Sequence, residues 1–378
     1  MKFKIQRKQL FQHMQNVVNI ISSKTVIPIL SGIKIDVKKE HITLTGSNSD
    51  ITVQTNIPSK ENEEDIITNI EAGSIVLPVP QFPEIINKLP EDIVDITVED
   101  NFKTVITSGS AVFTLYGQSS EEYPKVNLQQ TEEHLRINVD DFKKVIRQTV
   151  FAVSTMETRP ILTGVNIKLE DNQMTFTATD SHRLSTKTIN AIDNNLDTTE
   201  LVIPGKSLQE LNKILDTNYE TVNVSVIKNQ IIFFTNNLYF SSRLLSGNYP
   251  ETSRLIPQDS ETILRIYTRE FIHTIERAAL LSNKDQNNVI DLETKQNNII
   301  HISSKLPEVG NVNEQLTAIS IDGEQVKISF SSKYMLDTLK TMDSEIVEIN
   351  FTGAMRPFVI KAPDDPHILQ LILPVKTF

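Results

Sequence analysis

The sequence predicts an α+β chain made of three tandem copies of one domain, each mostly β with two amphipathic helices. Three observations predict this. The run Arg159-Pro160-Ile161-Leu162-Thr163-Gly164 has a twin in Pro28-Ile29-Leu30-Ser31-Gly32, and the offset, 160 − 28 = 132, places Ser154 on Ser22, Ile167 on Ile35 and Ser181 on Ser49. At an offset of 126, Tyr123-Pro124 returns as Tyr249-Pro250, and Ile75-Val76-Leu77-Pro78 returns as Leu201-Val202-Ile203-Pro204. A weaker third copy places Phe271, Ile275, Ala278 and Ala279 on Phe142, Ile146, Thr149 and Val150, at an offset of 129. Three equal domains, 1–126, 127–252 and 253–378, then account for all 378 residues.

The elements of the first copy follow in order. Residues 2–7 read as a strand, and Leu10, Met14, Val17, Val18 and Ile21 recur at helical spacing. Lys8, Gln12, Gln15, Asn16 and Asn19 fall on the opposite side of that helix. Ile33-Lys34-Ile35-Asp36-Val37 alternates as a strand does, and Ile42/Leu44, Ile51/Val53 and Ile75/Val76/Leu77 continue the pattern. A second helix opens near Pro80, buries Phe82, Ile85, Ile86 and Leu89, and stops at Pro90. Strands resume at Val94/Ile96/Val98, Val105/Ile106 and Val112 to Leu115. In the second copy the helices carry Phe142, Ile146, Thr149 and Val150, then Leu208, Leu211 and Leu215. In the third, Val326 to Phe330 is a strand leading into a helix with Tyr334, Leu336, Leu339 and Met342. The C-terminal Leu369 to Phe378 reads as an apolar strand followed by a tail.

Composition narrows the function. Hydrophobic content is 39% and charged content 22%, as in an ordinary globular protein, and the net charge of −11 argues against a surface that is basic all over. Seen alone, the sequence has no apolar run of membrane-spanning length, and Met1 to Arg7 lacks a signal-peptide core, so a cytoplasmic protein is expected. With no cysteine there is no disulfide framework or thiolate metal site, and no histidine pair shows ligand spacing. Neither a Walker motif nor a dinucleotide glycine fingerprint is present, so no cofactor is expected. Asp180-Ser181-His182 invites a hydrolase reading, but triad residues come from separate elements, and the first-copy equivalents are Asn48, Ser49 and Asp50. A turn or binding role for His182 fits better. The acidic run Glu61 to Asp65 reads as a loop. The outward helix faces repeatedly carry basic or amide groups: Lys88, Lys144, Arg147, Gln148, Lys213, Lys333 and Lys340. For one helix that is a solvated face; repeated over three domains, it could meet DNA phosphates without reading bases.

The run Arg159 to Gly164, the run Ala178 to Leu184, Gly247-Asn248-Tyr249-Pro250 and the Leu373-Pro374-Val375-Lys376 terminus together resemble the bacterial sliding clamp family, the β subunits of DNA polymerase III. Phe351-Thr352-Gly353-Ala354-Met355-Arg356-Pro357-Phe358 is similar to clamps of low-GC Gram-positive bacteria. The resemblance covers the whole chain. It implies clamp domains with antiparallel sheets outside and helices facing a central hole, closed head to tail into a ring dimer around duplex DNA. It implies a non-catalytic accessory subunit without metal or cofactor, at replication forks in the nucleoid. The implied partners are a second copy, double-stranded DNA, the polymerase III α subunit, the clamp loader and other proteins with a clamp-binding motif.

Carried over residue by residue, the shared peptide pocket includes Arg159, Leu162, Thr179, Ser181, His182, Arg183 and Leu184. Pro250, Arg254, Leu255, Pro357, Leu371, Leu373, Pro374 and Val375 complete it. Leu162, Leu184, Leu255 and Leu373 are expected as its apolar floor, with Arg and His at the rim. Lys24 joins the DNA-facing set, and Phe113 and Leu115 are expected to meet Leu280 and Leu281 across the ring interface. Two alternatives are a paralogous clamp serving repair or a mobile element, and the hydrolase built on Asp180, Ser181 and His182.

Overall fold

The computed structural model describes residues 1–22, 24–125, 134–282 and 288–376. The expected boundary between residues 126 and 127, Ser23, and the terminal Thr377 and Phe378 lie outside the described residues. Two compact units form: the first takes residues 1–139, 192–196 and 206–244, and the second takes 140–191, 197–205 and 245–378. The middle repeat is therefore divided between them.

Two large sheets and a short two-stranded one make up the first unit. Five antiparallel strands run in the order Ala111–Tyr116, Lys103–Ser108, Ile93–Val98, Lys2–Gln6 and Ile67–Glu71. The other large sheet has nine strands, and its centre joins the two repeats: Leu238–Arg243 pairs with Ile51–Pro58 through Phe240↔Val53. Gln230–Phe234 continues on one side, and His41–Ser47 and Gly32–Val37 on the other. One face of these strands is apolar, and Ile33, Ile35, Leu44, Val53 and Phe240 on it are fully buried. Helix α1 (Arg7–Val18) packs on this sheet with Leu10, Met14 and Val17 at i, i+4 and i+7. Helix α2 (Gln81–Lys88) adds Phe82 and Ile86 to the interior, with Glu84 in its first turn and Lys88 in its last, as the helix dipole favours.

The second unit is built alike. Its nine-stranded sheet runs Thr199–Pro204, Gly164–Glu170, Gln173–Thr179, Arg183–Asn190, Asp365–Ile372, Phe358–Ala362, Ile346–Phe351, Thr262–Tyr267 and Ser320–Gly323. A four-stranded sheet runs Gly310–Thr317, Ile299–Leu306, Val289–Thr294 and Lys327–Ser331. Helix α3 (Val139–Thr149) belongs to this unit from Asp140 onward, and α4 (Gly205–Ile214) to the first unit from Lys206 onward. Helices α5 (Thr268–Ala279) and α6 (Ser332–Leu339) pack on each other over a core that includes Phe271, Ile275, Phe330 and Phe358.

Several expectations need adjustment. Helix α1 ends at Val18, so Ile21 lies past it and Ile20 is the buried residue there. In α6 the inward face is Met335, Thr338 and Leu339, while Tyr334 and Leu336 are only partly buried. The acidic run is not a plain loop: Lys60–Glu61 and Glu64–Asp65 form a short hairpin around Asn62 and Glu63, both at positive φ. Among the described residues no helix is long and apolar enough to cross a membrane.

Candidate functional site

The stretch Thr179 to Leu184 is a hairpin turn joining the Gln173–Thr179 and Arg183–Asn190 strands. Asp180 makes the turn: its Oδ1 accepts the backbone N–H of His182 at 2.9 Å and of Arg183 at 3.0 Å. Ser181 takes the left-handed conformation at φ 76°. The first repeat does the same with different residues. Asn48 Oδ1 accepts from Asp50 and Ile51, at 3.2 and 2.9 Å, and Ser49 has φ 79°. Thr179 locks the second turn by donating to the Arg183 carbonyl at 2.6 Å and accepting from the Ser181 N–H at 3.1 Å. Its own N–H donates to the Tyr249 hydroxyl, whose pKa burial raises. The hydrolase reading has no geometry behind it. Asp180 spends its oxygens on backbone N–H groups and on Arg183, not on the His182 ring.

Arg183 corrects the expectation of a cationic rim. It is only 7% exposed. Its Nε donates to Asp180 at 3.0 Å, its Nη1 to Asp337 of α6 at 2.7 Å, and its Nη2 to the Phe151 carbonyl at 2.7 Å. The guanidinium also lies 4.6 Å from the centroid of the Tyr334 ring and 5.2 Å from that of Phe151. Three of its five N–H groups are thus spent inside the protein, and the buried cation ties strand, helix and turn together. His182 is exposed, and its ring stacks on Tyr334 with centroids 6.2 Å apart. Tyr334 thus contacts both the buried cation and the exposed imidazole.

Beside this network lies an apolar row. The register Leu184↔Leu371↔Val359 runs across three adjacent strands, and the three side chains are 2%, 3% and 2% exposed. Leu369 and Leu373 join it because they share the face of Leu371 at the two-residue period, and Ile256 packs from outside the sheet. The C-terminal tail is pinned there: the Leu373 N–H donates to the His182 carbonyl at 2.9 Å, and the Val375 N–H to the Ser329 carbonyl at 2.8 Å. Leu373, Pro374 and Val375 are half-buried, as is Pro357, whose carbonyl accepts from Thr352. Arg159, Pro250 and Arg254 are exposed. Leu162 is buried and Leu255 exposed, and neither belongs to the cluster of Leu184. Sequence reading missed Val359, Leu369, Ile256, Tyr334 and Asp337. The alternation of Leu369, Leu371 and Leu373 is a usable signal for the C-terminal strand alone.

The basic positions also separate. Lys24, Lys88 and Lys333 are exposed and make no ion pair among the described residues. Lys213 pairs with Glu210 at 2.8 Å, and Lys340 with Glu276 at 2.7 Å. Arg147 grips Asp343 with two bonds of 2.7 Å, and Lys144 lies 3.5 Å from the same carboxylate. Gln148 is a correction: it is 1% exposed and donates to the Thr341 carbonyl. It follows Val145 at i+3, which turns it to the buried side of α3 and away from any DNA-facing surface.

Phe113 and Leu115 lie on Ala111–Tyr116, the edge of the five-stranded sheet, where Phe113, Val112 and Tyr116 are exposed and Leu115 is half-buried. An edge with apolar side chains and open backbone groups is a template for another strand. Leu280 caps α5 and is 79% exposed, while Leu281 is half-buried. No metal-binding group of His, Asp and Glu occurs among the described residues.

Three family models match this chain. They are the N-terminal domain of the DNA polymerase III beta subunit over residues 1–128, its central domain over 136–251 and its C-terminal domain over 253–376. The beta sliding clamp of Bacillus subtilis is 49% identical, with 100% of both chains covered. That of Halalkalibacterium halodurans is 45% identical over the same full extent. The solved DNA polymerase sliding clamp from Bacillus subtilis superposes with a TM-score of 0.96 at 48% identity, covering 100% of each chain. The beta chain of DNA polymerase III from Streptococcus pneumoniae gives 0.95 at 39% identity, again with 100% of each chain covered.

Proposed function

The chain belongs to the DNA polymerase III β-subunit family, the β sliding clamps, and on that premise we propose how its own residues serve a processivity clamp. Three clamp domains, 1–126, 127–252 and 253–378, form half of a ring, and two chains close head to tail around duplex DNA. The ring is non-catalytic. It acts by topology, holding the polymerase III α subunit near the primer end and raising its effective concentration there. It works in the cytoplasm, at replication forks on the nucleoid.

The observation that carries the partner site is the apolar row Leu184, Leu371 and Val359 beside the exposed His182 and the half-buried tail Leu373 to Val375. An apolar floor with polar groups at its margin suits hydrophobic anchors on a short peptide from polymerase, clamp loader or other partners. Arg159, Leu162, Ser181, Pro250, Arg254, Leu255, Pro357 and Pro374 flank that floor in this reading, while Thr179 and Arg183 position the turn. Phosphate contact falls to Lys24, Lys88 and Lys333, with Lys144, Arg147, Lys213 and Lys340 available where DNA displaces an intramolecular carboxylate. Phe113 and Leu115 face Leu280 and Leu281 of the second copy, so two identical interfaces close the ring.

The test is topological. A ring loaded on nicked circular DNA with a clamp loader and ATP should stay bound in salt that screens phosphate contacts, and should slide off once the circle is linearised. Equal retention before and after linearisation would falsify the clamp mechanism.

A further inference from the structure

One face of the nine-stranded sheet in the first unit carries a cavity of about 410 Å³, within the range of ligand pockets. The register places Lys34, Thr45, Gln54, Tyr239 and Phe234 in one row across five strands, and Asp36, Thr43 and Asn56 in the next. This face repeats the face of the second unit that holds Leu184. Ile51–Pro58 stands 132 residues before Arg183–Asn190, and each strand follows a turn with a left-handed serine. Each also pairs antiparallel with a strand from later in the chain. In that correspondence Leu184, Leu371 and Val359 become Thr52, Ser241 and Ile232. The next row, Thr186, Leu369 and Lys361, becomes Gln54, Tyr239 and Phe234. The architecture is duplicated, while the first row has changed from three apolar residues to two hydroxyls and an isoleucine, and the second now carries two aromatic rings.

The lining suggests what fits. Thr43 donates to Asn56 Oδ1 at 2.8 Å, which leaves the Asn56 amide N–H groups for a ligand. Gln54 donates to Thr45 at 3.0 Å, which leaves its carbonyl oxygen. A donor and an acceptor two residues apart on one strand face match the C=O and N–H of an extended peptide. Lys34 pairs with Asp36 at 3.0 Å, but exposed Lys38 makes no ion pair among the described residues. On a chain of net charge −11 this is a local site for a carboxylate. The rings of Phe234 and Tyr239, both half-buried, line the far end.

We propose that this cavity is a second peptide site, taking an extended partner segment with an aromatic side chain against Phe234 and Tyr239 and an Asp or Glu at Lys38. The peptide class of the occupant rests on the proposed function of the matching face in the second unit, whereas the cavity and its chemistry do not. The Lys38 backbone lies four strands across from that of Phe234, about 19 Å at a spacing of roughly 4.8 Å, and four residues along from its row, about 13 Å, which makes about 23 Å in all; with the long Lys38 side chain reaching inward, aromatic and acid should stand about six extended residues apart.

The probe is the heptapeptide Phe-Thr-Ser-Thr-Ser-Thr-Asp, titrated into the full chain and followed by ligand-observed NMR. Saturable binding is expected, weakened at least fivefold by Lys38→Glu, by Gln54→Ala and by changing the peptide's Asp to Asn. A polymerase C-terminal peptide, titrated separately, reports on the second unit and should not displace the heptapeptide. Loss of polymerase-peptide binding alone therefore overturns that other site and leaves this one standing. The proposal is overturned by absence of saturable binding up to millimolar peptide, by equal binding to Lys38→Glu, or by displacement with the polymerase peptide. Displacement by a ten-nucleotide oligothymidylate also overturns it, and assigns the groove to single-stranded nucleic acid.

Discussion

Replacing Arg183 with Met keeps the length of its stem and removes the guanidinium that joins the Arg183–Asn190 strand to α6. Breaking a buried ion pair from one side costs about 3–5 kcal/mol, because the remaining partners stay behind unpaired. Here the partners are unequally stranded. Asp180 keeps two backbone N–H donors, and the Asp337 side chain is 34% exposed and rehydrates. The Phe151 carbonyl loses its Arg183 donor, and Tyr334 loses a cation over its face. These considerations put the loss at the low end, about 3 kcal/mol, or roughly a hundredfold in an opening equilibrium. With two compact units, a single unfolding free energy for the chain is poorly defined, so the measurement should be local. Amide hydrogen exchange in the Arg183–Asn190 strand and α6 should accelerate about a hundredfold in Arg183→Met, with the five-stranded sheet unchanged. Arg183→Lys keeps the charge but not the planar fork, and should fall between. Acceleration of less than tenfold in Arg183→Met would refute the view that this network holds strand and helix together.

Further outcomes follow from the same structure. Leu184 is 2% exposed, so Leu184→Ala should cost about 2–4 kcal/mol of local stability as well as about 1–3 kcal/mol of peptide affinity; unchanged melting and unchanged binding of a polymerase C-terminal peptide would together remove it from the floor. Changing exposed Leu280 and half-buried Leu281 together to Ala should give folded monomers by light scattering; a dimer that survives unchanged would move the interface elsewhere. Burial alone pushes the Asp365 carboxyl up, but the Lys187 ammonium at 2.7 Å, the His367 N–H and Lys144 together hold it below the ordinary aspartate range. A depressed folded pKa gives stability that is complete above the unfolded value, about 3.9, and is lost as pH falls through the folded value. Lys187→Met should therefore destabilise at neutral pH and flatten the acid limb of the stability curve, and an unaltered acid limb would contradict the pairing.

The sequence alone determined the repeat and the order of most strands and helices, because these depend on local pattern. A helix face repeats every three or four residues and a strand face every two, so Leu10, Met14 and Val17, or Ile33 and Ile35, announce their burial without a partner in view. The hairpin chemistry of Asn48-Ser49 and Asp180-Ser181 is equally local, since an Asx side chain bonds its own backbone two or three residues on. Tertiary structure decided what each side chain meets. Arg183 looked like a rim cation, and only the arrival of Asp337, Tyr334 and the Phe151 carbonyl made it an interior tie. Gln148 looked outward because amides usually do, yet α3 turns it to the Thr341 carbonyl. The floor of the candidate site is assembled from residues 184, 359 and 371, whose adjacency exists only once the C-terminal strand inserts between two others. A charged or apolar side chain specifies the kind of partner it needs; which partner it gets is fixed by strand pairing between distant parts of the chain.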